Sequence, residues 1–221
     1  MASGGSIGRP SQRIRRLFVL LSSLTLGLAL LAFVLYEIER SRTYQVFGEI
    51  VPRVNTNVKA VALTFDDGPS SPQTDQILAT LAHERVKATF FLIGSEMEQN
   101  RDSTRHIAEA GHEIGNHTYR HQRMVLKPMS FYRSEIEKTD ALIRDAGYTG
   151  PIYFRAPATD KLFGLPYYLR RTHRTTVTWD VEPDSFPEVS QDSNRIVQYV
   201  LANARPGSII LLHVMYGGRS T

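Results

Sequence analysis

Asp66 with Asp67, His117 with His121, Arg155, the acids of 180–184 and His213 are the residues of this chain whose types could do chemistry together. Each cluster follows an apolar run that reads as a β-strand. Parallel strands gather their C-terminal ends on one face, so residues far apart in sequence can meet there as one site. Carboxylates and imidazoles in one place can hold a metal ion and move protons.

Thr64-Phe65-Asp66-Asp67-Gly68-Pro69 places two adjacent carboxylates at a strand end. Neighbours on an extended chain point opposite ways, so one is free to take a metal while the other faces a water. Asp-Gly and Pro also suit a plain turn. In His117-Thr118-Tyr119-Arg120-His121 the imidazoles stand at i and i+4. On a helical turn they share a face and can chelate one ion; the bland alternative is two surface histidines. One Asp and two His leave coordination positions open for water. Zinc fits such a set, and cobalt, iron or manganese is compatible with it.

Arg155 follows Tyr153-Phe154 at another strand end. A buried arginine needs a carboxylate, and Asp66 is the candidate. His213 follows Ile209-Ile210-Leu211-Leu212, where a histidine is either a satisfied core residue or a proton carrier. Trp179-Asp180-Val181-Glu182-Pro183-Asp184-Ser185-Phe186 interleaves acids with aromatics. Trp179 reads as core first, and Phe186 equally as core or as an apolar wall for a sugar face. His83, His106, His112 and His173 fall in helices or loops and read as solvated.

The elements that must position these residues alternate from Val58 onward. Strands read at 59–65, 87–93, 113–116, 152–154, 175–179 and 208–212. Helices read at 74–84, 104–110, 130–146, with Ser130 as cap, and 193–204. Apolar strands separated by helices imply parallel pairing through crossovers, hence an α/β fold. A (β/α) barrel leads and an open doubly wound sheet is second. Asp-Asp-Gly-Pro occupies the place where a glycine-rich phosphate loop would follow the first strand, which argues against a nucleotide site.

The bulk properties bound the function. The 221 residues are 42% hydrophobic and 22% charged, a folded composition, and there is no cysteine for a disulfide or thiolate site. Arg9, Arg13, Arg15 and Arg16 account for the whole formal excess of +4, and the remaining 22 basic and 22 acidic residues balance. The body therefore offers no net basic field to nucleic acid.

Leu17 to Tyr36 is a run of 20 residues without a charge. As a helix it would span roughly 30 Å, the hydrocarbon thickness of a bilayer. With arginines before it and Glu37 and Glu39 after it, the positive-inside rule makes 1–16 a cytoplasmic basic tail. It makes 17–36 a signal anchor and puts the rest on the extracytoplasmic side. The rival is a cleaved signal peptide. Its apolar core is usually about 7–15 residues and closes on a small-x-small site, and no clean Ala-x-Ala closes this run. Residues 37–57, with Pro52 and Asn55-Thr56-Asn57 as breakers, read as a stalk.

In order and spacing these motifs resemble the polysaccharide deacetylases of the NodB-homology type, carbohydrate esterase family 4. Thr-Phe-Asp-Asp-Gly-Pro at 64–69 and His-Thr-x-x-His at 117–121 carry most of the resemblance, which runs from about Val58 to His213. It implies a distorted (β/α) barrel with a divalent metal site, zinc foremost, at the strand C-termini. It implies Asp66 as general base, Asp67, His117 and His121 as metal ligands, and Arg155 as holder of the base. His213 would be the acid, with Asp180, Glu182 or Asp184 as its partner and Asp184 favoured. The implied reaction removes N-acetyl groups from a cell-wall or surface polysaccharide. O-acetyl xylan esterase, hydrolysis of a small amide, and a non-catalytic glycan-binding module are the alternatives.

Three features depart from the pattern. Arg155-Ala156-Pro157-Ala158 stands where the family often has Arg-Pro-Pro and an aromatic, which leaves the backbone N–H of Ala158 for an oxyanion. The fourth motif ends Asp184-Ser185-Phe186 in place of Asp-Trp. The family continues with a helix and a strand after its last histidine, whereas this sequence stops eight residues after His213. The domain at 58–221 is therefore expected to be C-terminally incomplete, with two unpaired strand edges.

Overall fold

The computed structural model describes residues 12–215. The basic tail before Gln12 and the last six residues lie outside the described range. The chain divides into two compact units between Glu37 and Ile38. The first is dominated by helix α1 (Gln12–Arg40), which continues three residues into the second. Its span Arg15–Arg40 holds an 18-residue window with a mean hydropathy of 2.5 and is long and apolar enough to cross a membrane. Its leucines, among them Leu20, Leu26 and Leu30, are exposed.

The second unit is built on parallel strands. They are β1 (Ile50–Val51), β2 (Ala62–Asp66), β3 (Thr89–Leu92), β4 (Glu113–Asn116), β5 (Thr176–Val177) and β6 (Ile209–Leu212). Four of them run in the order β4-β3-β2-β6. Single-residue bridges complete a ring: Asn116 with Phe154, Phe154 with Thr176, and Val181 with Ile210. The crossovers are α2 (Gln73–Glu84), the pair α3 (Gly94–Gln99) and α4 (Arg101–Glu109), α5 (Met129–Asp145), α6 (Gly164–Arg171), and α7 (Pro187–Ser190) with α8 (Ser193–Asn203). The fold is an α/β barrel, distorted where Phe154 and Val181 stand in for strands. Beside the four-stranded sheet, β1 and β5 form a two-stranded one, linked to it through the single-residue bridges at Phe154 and Val181.

The core lies where the apolar faces of the strands meet the helices. Phe65, Phe90, Leu92, Ile107, Ile114 and Ile143 form one buried cluster, and Tyr132, Ile136, Phe154, Leu165 and Leu169 form another. Each fully buried side chain of this size contributes roughly 1.5–3 kcal/mol. Gly115 of β4 lies beside Phe91 of β3 in the parallel register. A Cβ at 115 would lie 2.4 Å from the ring of Phe91, which is only 1% exposed and has nowhere to retreat. Gly115→Ala should therefore cost about 1–3 kcal/mol through overpacking, read as a lower denaturant midpoint.

Three sequence expectations change. The stalk at 37–57 is part of the domain: Ile50 and Val51 pair with Thr176 and Val177, and Val54 N–H donates to Gly207 O at 2.9 Å. A two-residue strand followed by Pro52 carries too little periodicity to be read. His112 is not solvated. It is buried, accepts the Ala88 N–H at Nδ1 (3.2 Å) and packs on Phe90. Helix α5 is preceded by Pro128 at its N-cap, and Ser130 lies inside it.

Candidate active site

Strand β2 delivers Asp66 into the barrel mouth, 2% exposed. Asp67 then leaves the strand with φ 74°, and Gly68 follows at φ 63°. A Cβ at Gly68 would meet Met215 Sδ at 2.9 Å, so this turn needs glycine for space as well as for its dihedral. Because Asp67 is not extended, the two carboxylates do not diverge as expected. His117 Nε2 lies 3.6 Å from Asp66 Oδ2 and 3.7 Å from Asp67 Oδ1.

The imidazoles come from the irregular segment after β4. It is not a helical turn, since Thr118 and His121 both have positive φ (68° and 54°). The rings still stand 4.9 Å apart. His117 Nδ1 lies 2.8 Å from Arg155 O, which fixes the proton on Nδ1 and leaves the Nε2 lone pair facing the carboxylates. Burial pushes the His117 pKa down to about 3, so the ring is neutral and able to ligate. His121 Nε2 lies 3.4 Å from Asp67 Oδ1. That oxygen is buried and accepts no hydrogen bond among the described residues. An orphaned carboxylate oxygen facing two imidazole nitrogens fits a divalent cation. The donor atoms of Asp67, His117 and His121 lie within 4.8 Å of one another.

Arg155 is fully buried. One Nη1 donates to Asp66 Oδ1 (2.5 Å) and to Thr64 Oγ1 (2.9 Å). Nε and Nη2 donate to Val177 O and Thr178 O, both at 3.1 Å, and the guanidinium lies 3.9 Å over the ring of Phe91. Asp66 is thus held at one oxygen and turned to the site with the other. Burial raises its pKa above the usual carboxylate range, against the opposing pull of Arg155, which makes it a stronger base when ionised.

His213 follows β6. Its backbone N–H donates to Asp184 Oδ2 (2.7 Å), and its Nδ1 lies 2.9 Å from the same oxygen. Burial alone would lower its pKa. The hydrogen bond to Asp184 and the fields of Asp66, Asp184 and Asp67 outweigh that and leave it raised. The other two acids are engaged elsewhere. Asp180 accepts from Ser208 Oγ and Ile209 N–H, both at 2.9 Å, and Glu182 accepts from Trp179 Nε1 at 2.8 Å.

Asp66, Asp67, His117, His121 and His213 line a cavity of about 500 Å³ together with Ala158, Trp179 and Phe186, and Arg155 and Asp184 stand behind them. Ala158 has φ 49° in the short 3-10 turn Pro157–Thr159; Pro157 has no N–H and the Thr159 N–H donates to Ala156 O at 3.1 Å, so the first N–H the turn can offer a ligand is that of Ala158. Trp179 is mostly core, packed with Ile209 and Leu211, while Phe186 is 40% exposed and stacks on Tyr199.

The polysaccharide deacetylase family model matches residues 53–174. This chain belongs to that family. It is 40% identical over 163 residues to a peptidoglycan-N-acetylglucosamine deacetylase of Bacillus cereus, covering 73% of this chain and 58% of that protein. It is 34% identical over 169 residues to the peptidoglycan-N-acetylglucosamine deacetylase PgdA of Listeria monocytogenes, covering 74% of this chain and 34% of that protein. The crystal structure of a peptidoglycan N-acetylglucosamine deacetylase, in complex with an N-hydroxybenzamide, superposes with a TM-score of 0.69 at 36% identity, over 75% of this chain and 76% of that one. This polysaccharide deacetylase chain thus spans little more than half of one of these curated relatives and a third of the other.

The sequence reading missed Arg40, Arg42, Thr159, Ser185 and Tyr199, which also line the cavity. Ser185 and Tyr199 lie near a motif that was read. Nothing in the sequence marks Arg40 and Arg42, which precede the matched region.

Proposed function

We propose that this chain is a metal-dependent hydrolase that removes N-acetyl groups from N-acetylhexosamine residues of a cell-wall or surface polysaccharide, releasing acetate. The observation that carries this reading is a buried, arginine-held Asp66 beside the orphaned Asp67 oxygen and its two imidazoles, with His213, held by Asp184, lining the same cavity. Asp67, His117 and His121 would hold the ion, zinc foremost, with cobalt, iron or manganese compatible with the same donors. When bound, such an ion supplies Lewis acidity, polarising a carbonyl and easing ionisation of a water.

The chain's own residues do the rest. Arg155 fixes Asp66 so that its free oxygen accepts the proton of the attacking water. The N–H of Ala158 donates to the developing oxyanion. His213, oriented by Asp184 through Nδ1, protonates the leaving nitrogen. An amine is a poor leaving group, so without that proton the tetrahedral adduct returns to substrate. Trp179 and Phe186 offer apolar surface to a sugar face. Acetate release from acetylated chitooligosaccharides, abolished by chelator and restored by divalent metal, is the test. Release only from acetylated xylan would replace the amide reading by the ester one, and no release from either would leave a glycan-binding module.

The acid carries its own pH signature. Asp184→Asn removes the negative charge that holds the His213 proton, so the pKa of His213 falls. The alkaline limb of kcat/KM should then move to lower pH. The drop in turnover at the optimum should be smaller than the roughly 10²–10⁴-fold expected for losing the acid itself. An unmoved limb would remove His213 from the role.

We also propose that residues 17–36 anchor the chain in a membrane with the domain on the extracytoplasmic side. What supports this is the uninterrupted apolar helix with arginines before it and acids after it. Intact-mass measurement on the membrane fraction should find a chain that keeps residues 17–36. A new terminus between residues 33 and 45 would replace the anchor by a cleaved signal.

A further inference from the structure

The segment from His117 to His121, which carries both imidazoles, lies between β4 and α5 and belongs to neither. Its backbone is strained, with Thr118 at φ 68° and His121 at φ 54°, and such conformations persist only where the surroundings over-determine them. Hydrogen bonds supply that determination. His117 N–H donates to Leu92 O (3.0 Å), Thr118 N–H to the Asn116 side-chain carbonyl (2.9 Å) and His121 N–H to Thr118 Oγ1 (3.1 Å). The two N–H groups in between, of Tyr119 and Arg120, converge on one atom, Glu135 Oε2, at 3.1 and 2.8 Å. From the other side the N–H groups of Gly94 and Ser95 donate to Thr118 O (3.0 Å) and Tyr119 O (2.8 Å).

Glu135 projects from α5 and is 1% exposed, and the chemistry of the site leaves it without a task. A buried carboxylate is costly unless its oxygens are claimed. Here Oε1 accepts no hydrogen bond among the described residues and has the half-exposed Arg120 guanidinium at 3.5 Å, so the charge is held chiefly by the two N–H groups at Oε2. Successive N–H groups turned to one anion form a concavity for it, and such charge-assisted contacts are roughly twice as strong as neutral ones. The two imidazoles depend on this clamp unequally. His117 is held independently, by Leu92 O at its backbone and by Arg155 O at Nδ1 (2.8 Å). His121 follows directly on Arg120, and its ring meets Asp67 Oδ1 (3.4 Å) and the His117 ring, both on the side of the ion. We infer that Glu135 is a positioning residue: it fixes the Tyr119–Arg120 backbone so that His121 stands ready to ligate, and so sets the affinity of the site for its ion. This rests on Asp67, His117 and His121 being the ligands under the deacetylase reading, and its test is read from metal uptake as well as from turnover.

The metal-free full-length protein in detergent is titrated with Co2+ against a competing chelator, and binding is read from the visible absorption of the bound ion. Glu135→Leu keeps most of the buried volume and removes the acceptor. It should weaken cobalt binding by about 10–100-fold, the usual cost of losing a group that supports a ligand. Glu135→Gln keeps a carbonyl oxygen for both N–H groups and should recover most of that loss, which lost packing alone does not predict. On a His121→Ala background Glu135→Leu should change cobalt affinity by less than about twofold, because the ligand it aims is gone. Where Glu135→Leu gives no cooperative thermal melt, Glu135→Ala, whose vacated space water can enter, takes its place in the same cycle. Wild-type affinity in the deletion variant, a Gln variant as weak as the deletion, or additive losses in the double variant would overturn the positioning role. Acetate release is assayed on the same samples. Cobalt affinity that depends on Glu135 through His121 without acetate release would keep the positioning role and overturn the hydrolase, whereas wild-type affinity and wild-type release in the deletion variant would do the reverse.

Discussion

Asp67→Ala should abolish stoichiometric metal uptake and reduce acetate release to background. Asp67 Oδ1 is the atom on which both imidazoles converge, 3.7 Å from His117 Nε2 and 3.4 Å from His121 Nε2, and it has no hydrogen bond of its own among the described residues. Losing a group that merely supports a ligand typically costs about 10–100-fold in metal affinity or activity, so losing the only carboxylate of the set should exceed that. The metal-free protein gives an independent check against misfolding. A buried oxygen with no partner is a stability cost. Removing it should leave the metal-free variant at least as stable as metal-free wild type by thermal melting. His121→Ala should act in the same direction but less completely, because that side chain is 40% exposed and water can replace it. Full metal content in Asp67→Ala, measured by elemental analysis, would move the ion elsewhere.

How much of this was legible in the sequence depends on the range of the signal. The strand-end clusters were readable because the apolar runs 59–65, 87–93 and 208–212 are long enough to show a buried strand, and each stops at a polar residue. Their meeting in space followed from parallel topology alone. Backbone conformation inside the loops was not readable. Asp67, Thr118 and His121 all adopt positive φ, and that is what turns both carboxylates and both imidazoles to one point. A local rule of extended or helical geometry gives the wrong directions for the right residues. The choice among Asp180, Glu182 and Asp184 was equally hidden, because it is decided by which backbone N–H each acid meets after folding. Strand β1 and the segment 39–42, which brings Arg40 and Arg42 to the cavity, were invisible for a third reason. They are held by donors 119 to 136 residues away, and the segment's own sequence shows only breakers. The ring closure at Phe154 and Val181 consists of single residues, which no periodicity can announce.

Asp66→Asn separates the proton acceptor from the metal site. The amide is nearly isosteric, so the shape of the pocket and the Asp67–His117–His121 set are kept, and metal content should stay at wild-type level. What is lost is the capacity to accept a proton, and turnover should fall by roughly 10²–10⁴-fold with KM little changed. The substitution also strands Arg155, which is fully buried and has Asp66 as its charged partner at 2.5 Å. Breaking a buried pair from one side typically costs about 3–5 kcal/mol, so the variant should melt lower as well. Thr64 Oγ1 and the carbonyls of Val177 and Thr178 still accept from the guanidinium, which should place the loss toward the lower end of that range. Arg155→Met provides the converse. It leaves the proton acceptor in place but removes the group that aims it and opposes its neutralisation by burial, so Asp66 should titrate at higher pH and the acid limb of kcat/KM should move up. Metal retained with turnover lost in Asp66→Asn, together with a shifted acid limb in Arg155→Met, assigns proton acceptance to Asp66 and its aim to Arg155. Wild-type turnover in Asp66→Asn would show that another group takes the proton.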